Sequence, residues 1–78
     1  VPRVRNIFRE CVIKVDVAQN LVVIKTITGM ANAAAFALDT MKISEIVGTI
    51  AGDDNVLIIL RDNESAENFF EQTKEMLR

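Results

Sequence analysis

The sequence predicts a small α/β (α+β) domain: a four-stranded antiparallel sheet with two helices on one face, in the order β-β-α-β-β-α. Three observations predict it. Residues 11–17 alternate, with Cys11, Ile13, Val15 and Val17 on one side and Lys14 and Asp16 on the other, which is the period of a half-buried strand. Two further runs, 21–27 and 56–60, are short, apolar and rich in β-branched residues. Two other stretches repeat their apolar residues at helical spacing.

Residues 1–10 are basic, hold the only proline, and read as a linker or lead-in segment in which Val4, Ile7 and Phe8 offer a short apolar anchor. The first strand follows. Ala18-Gln19-Asn20 turns the chain into the second strand, and so short a connection makes the pair an antiparallel hairpin. Thr28 is the expected N-cap of an alanine-rich helix whose apolar positions are Met30, Ala33, Ala34, Ala37, Leu38 and Met41. Residues 46–51 form the expected third strand and 56–60 the fourth, with the turn residues Gly52-Asp53-Asp54-Asn55 between them. Asp62-Asn63-Glu64-Ser65 then caps a terminal helix with Ala66, Phe69, Phe70, Thr73 and Leu77 as its buried stripe.

Length and composition bound the function. With 78 residues the chain is one domain of residues 11–78 plus its lead-in, and a core of this size supplies only about 3–5 kcal/mol by itself. Cys11 is the single cysteine, so no disulfide forms within the chain. A lone thiol among apolar neighbours suggests a packed residue in a reducing, cytoplasmic setting. With no histidine the chain lacks the base a catalytic thiolate needs and the ligands of a zinc site, so neither a catalytic residue nor a metal is expected. The net charge of −2 argues against this domain gripping a nucleic-acid backbone, and no apolar run approaches the ~20 residues of a membrane span. Oligomerisation remains as the source of stability. Runs 21–24 and 56–60 are apolar on both faces, as strands covered on both sides are, yet two helices cover only one. The other face, or the small-residue surface of residues 30–37, is expected to meet another subunit.

The most specific feature is Gly48-Thr49-Ile50-Ala51-Gly52-Asp53-Asp54. Two adjacent carboxylates at a hairpin tip create a local negative potential, and a planar guanidinium suits it because its fork of donors meets a carboxylate in paired bonds. Gly48, Ala51 and Gly52 leave room for a ligand against the backbone. Taken alone, Gly-Asp-Asp-Asn is most often a solvated turn. The second feature is the strand-to-helix junction of residues 26–32. A helix start presents free N–H groups to a ligand carboxylate, Asn32 adds an amide, and Asp39 stands two turns further along. Their bland reading is exposed helix residues.

These residues resemble the C-terminal domain of bacterial arginine repressors. The matching stretches are Val22-Val23-Ile24-Lys25-Thr26, Gly29-Met30-Ala31-Asn32, Leu38-Asp39 and, above all, residues 48–54 with the strand after them. The resemblance implies an oligomerisation domain that forms trimers, two of which stack into a hexamer with L-arginine, the co-repressor, at the trimer–trimer interface. It implies that Asp53 and Asp54 hold the guanidinium, while Asn32, Asp39, Thr49 and Ala51 meet the amino and carboxylate ends. Operator DNA would be bound only by an N-terminal winged-helix domain outside this chain, whose start at Val1-Pro2 suits a fragment. No cofactor other than the ligand and no membrane partner is implied. Asn32 stands where Gln or His is usual in that family, and Thr28 where proline is common. A competing expectation is an amino-acid-sensing or scaffolding module attached to a metabolic enzyme, which a catalytic rather than a winged-helix domain upstream would reveal.

Overall fold

A computed structural model describes residues 2–77, with side chains over residues 6–77, and contains the expected β-β-α-β-β-α order behind one additional helix. The elements are α1 (Pro2–Cys11), β1 (Val12–Ala18), β2 (Leu21–Thr26), α2 (Ala31–Met41), β3 (Ile46–Ala51), β4 (Asn55–Leu60) and α3 (Asn63–Met76). The sheet is antiparallel throughout, in the order β1-β2-β4-β3, so β1 and β3 are its edges.

The lead-in segment is therefore helical from Pro2. Proline is tolerated where Pro2 opens α1, because the first N–H of a helix has no intrahelical acceptor. Positions 4, 7, 8 and 11 repeat at helical spacing, and Phe8 and Cys11 are buried at the end of that series. Val4, expected to share the anchor, lies outside the described side chains. Phe8 is fully enclosed, and α1 packs chiefly on α2. Burial, with a smaller contribution from Glu10, pushes the Cys11 thiol up, as suits a packed and unreactive group.

One face of the sheet supplies Val22, Ile24, Val56, Ile58 and Leu60 to the core. Against them lie Ala31, Ala34, Ala35, Ala37 and Leu38 of α2 and Ala66 and Phe69 of α3. The alanines let α2 approach the sheet closely. Buried hydroxyls among the described residues are satisfied locally, Thr73 donating to the Phe69 carbonyl (2.8 Å) and Thr26 to that of Ile27 (2.9 Å). Asp62 caps α3 as expected: its carboxylate accepts the Ser65 N–H at 2.7 Å, and that bond holds it below the usual carboxylate range.

Two expectations are corrected. In β1 a bulge between Val12 and Lys14 turns Ile13 outward, leaving it 61% exposed, so Val12 rather than Ile13 joins Val15 and Val17 against the core. Thr28 does not cap α2, because Gly29 adopts a left-handed φ of 84° and the helix begins only after Met30, with no side-chain cap. The second sheet face is uncovered in the protomer. Its rows run Lys14, Lys25, Asn55 and then Asp16, Val23, Leu57, Ile50, and Ile50 is 63% exposed. Among the described residues no helix is long and apolar enough to cross a membrane, and no cluster of three metal-ligating side chains forms.

Candidate functional site

The turn joining β3 to β4 is fastened to the start of α2 through main-chain groups. Gly29 turns the chain so that its own N–H and that of Ala31 converge on the Asp53 carbonyl, at 3.1 and 3.3 Å. The Thr26 N–H donates to the Asp54 carbonyl at 2.7 Å, and the Gly52 N–H closes the turn on the Asn55 carbonyl at 2.8 Å. The acidic pair thus belongs to a braced corner rather than a loose loop. Its two carboxylates differ. Asp54 is held on both oxygens, by Lys25 Nζ at 2.8 Å and by the Asn55 side-chain amide at 2.7 Å. The Lys25 ammonium, through its hydrogen bond and its charge, keeps the Asp54 carboxyl below its usual range. Asp53 is exposed, and its carboxylate meets no donor among the described residues.

Beside that corner the first turn of α2 is open. Met30 offers no side-chain cap, and neither the backbone N–H nor the amide of Asn32 has a partner among the described residues. Asn32, Phe36 and Asp39 follow at spacings of four and three, so they share one exposed stripe, about 10 Å from first to last. At its far end Asp39 and Thr49 line a shallow groove of about 200 Å³ between α2 and β3, with Lys42 and Gly48. A side chain added at Gly48 would meet no atom within 4 Å, so the strand is open to approach there. Ala51 is half-buried in register with Val56, between the groove and the acidic corner.

The six residues expected at the site do not share one surface. The main chain of Asp53 and Asp54 is bonded to the segment that leads into α2, where Asn32 is exposed in the first turn. The Asp54 carboxylate is turned to Lys25 and Asn55, whose row lies on the sheet face away from the helices. Asp39 and Thr49 line the groove at the far end of α2, and Ala51 lies on β3 between Thr49 and the acidic turn. Their chemistry is complementary to an amino acid with a cationic end. A carboxylate such as that of Asp53 can accept from a cation, while unpaired N–H groups and an amide can donate to a carboxylate. Two residues escape a reading of the sequence alone. Lys25 looks like an ordinary exposed strand lysine until pairing sets it beside Asp54. Phe36 is 69% exposed on the same stripe as Asn32 and Asp39, and the helical spacing of the three is its only signal.

Residues 8–75 match a family described as "Arginine repressor, C-terminal domain". The chain is 49% identical to the arginine repressor of Caldicellulosiruptor saccharolyticus over 92% of its own length and 47% of that protein's. Against the arginine repressor of Alkaliphilus oremlandii the identity is 43%, covering 97% of this chain and 51% of the relative. For that of Acetivibrio thermocellus it is 45%, covering 97% and 50%. The chain spans about half the length of these relatives.

Proposed function

Because this chain belongs to the arginine repressor C-terminal domain family, we propose that it is the effector-binding and assembly domain of an arginine-dependent transcription regulator. The observation that carries the reading is the braced corner, where the Asp53 carbonyl fastens the turn to the open start of α2 and the exposed Asp53 carboxylate has no partner among the described residues. The relatives are named as repressors, which regulate transcription and are not enzymes, and this favours a regulator over a module serving a metabolic enzyme.

In this reading Asp53 and Asp54 hold the guanidinium of L-arginine, and Asn32, Asp39, Thr49 and Ala51 surround its amino and carboxylate ends. The site is open to solvent in one protomer, so a second subunit completes it. Two surfaces with different physics suit the two kinds of contact that a trimer and a pair of trimers need. The uncovered sheet face, with Val23, Ile50, Leu57 and Ile59, suits a contact made by apolar burial and indifferent to ligand. The acidic corners suit a contact between trimers, where like charges repel until a cation lies between them. Arginine supplies the cation and so draws the equilibrium towards the hexamer. DNA affinity then rises because several tethered DNA-binding domains engage an operator together. A regulator of transcription acts where the DNA is, which in a bacterium is the cytoplasm.

Calorimetric titration with L-arginine and L-citrulline tests this. Citrulline keeps the shape and loses the charge, and charge-assisted bonds are about twice as strong as neutral ones. Arginine is expected to bind on the order of tenfold tighter or more. Equal affinities would remove the guanidinium from the acidic corner.

A further inference from the structure

Asp54 already has a cation. Lys25 Nζ lies 2.8 Å from Asp54 Oδ2, and the Asn55 amide takes Oδ1. The register explains why Lys25 turns that way. On β2 it stands between Lys14 of β1 and Asn55 of β4, on the sheet face away from the helices. A like charge directly across the strand pair disfavours the Lys14 side, and the hairpin tip offers the nearest acid. Asp53, the neighbouring carboxylate, is left unpaired among the described residues.

We propose that Lys25 is the internal counter-ion of the ligand site, holding Asp54 while the site is empty and yielding it to the guanidinium of an incoming ligand. This rests on the arginine-binding reading above. A guanidinium meets a carboxylate with two parallel donors and therefore needs both oxygens, whereas an ammonium is a point charge on a flexible stem. The Lys25 side chain is 46% exposed, so its head group can return to water, and an exposed pair of this kind holds weakly. Displacement selects for ligand chemistry. A neutral side chain cannot replace the ammonium. Free lysine offers only what Lys25 already provides, and Lys25 competes from within the chain at high effective concentration. Only a fork-shaped cation improves on the resident partner.

The test is titration of the intact protein, wild type against Lys25→Met and Lys25→Gln, with L-arginine, L-lysine and L-citrulline. Both variants are expected to bind arginine about two- to fivefold tighter, the range of an exposed ion pair. Lysine should gain at least as much, and citrulline should be unchanged. Carbon-13 titration of the Asp54 carboxyl in the ligand-free protein gives a second readout: its midpoint rises in both variants. If wild type binds arginine and neither variant binds it more tightly, the counter-ion role is wrong while the arginine site stands. The counter-ion role is equally wrong if the Asp54 midpoint does not move. If wild type binds no arginine, both readings fall together.

Discussion

Replacing Phe8 by alanine is expected to destabilise the protomer by about 3–5 kcal/mol, the range for removing an enclosed phenylalanine. The ring has no exposed surface and sits in one cluster with the sheet residues and the alanines of α2. The alanines of α2 in that cluster, Ala31, Ala34 and Ala35, are too short to reach into the space the ring would leave. A domain of this size has only about that much stability from its own core, so the variant should be largely unfolded unless assembly supports it. Phe8→Leu, which keeps most of the volume, should lose much less. Urea denaturation followed by circular dichroism measures both. A loss below about 1 kcal/mol for the alanine variant would mean that α1 is an attachment rather than part of the core.

Asp53→Asn is expected to weaken arginine binding on the order of tenfold or more, since it replaces a charge-assisted acceptor by a neutral amide. The fold should be untouched, because the Asp53 side chain has no partner among the described residues and its carbonyl, which fastens the turn, is unchanged. Asp54→Asn differs in kind. It also removes the charge that holds Lys25 and leaves one acceptor oxygen for the two donors, Lys25 and Asn55, so its thermal unfolding should shift as well as its affinity. Titration and melting of the two variants side by side separate them. Unchanged arginine affinity in Asp53→Asn would exclude that carboxylate from the site.

What can be read from the chain follows a physical pattern. The strands β3 and β4 and the helix α3 are legible because each carries its own local signal: an apolar run, a turn of Gly and Asp, and an N-cap aspartate whose bond the structure contains. The exposed side of β1 is not. A bulge adds one residue to one strand, and nothing in a period-two pattern marks where that happens, so Ile13 and Val12 exchange faces. Thr28, a good cap in principle, misplaces the start of α2, because the left-handed Gly29 stands between it and the helix, which begins only after Met30. The helix α1 carries its signal in Pro2 and in the spacing of Val4, Ile7, Phe8 and Cys11, obscured by the basic residues between them. At the site, the acidic pair and the helix start are legible as chemistry in sequence. The partner of Asp54 is not, because residues 25 and 54 meet only through the pairing of β2 with β4.

If arginine acts by joining acidic corners that otherwise repel, the assembly state must follow the ligand. Sedimentation velocity over a wide dilution range, with and without L-arginine, measures this. The expected result is a trimer at low protein concentration that arginine converts to a hexamer. Asp53→Asn should lose this dependence without the trimer dissociating, because its charge and not its packing is removed. A wild-type protein that sediments identically with and without arginine at every dilution would contradict ligand-linked assembly.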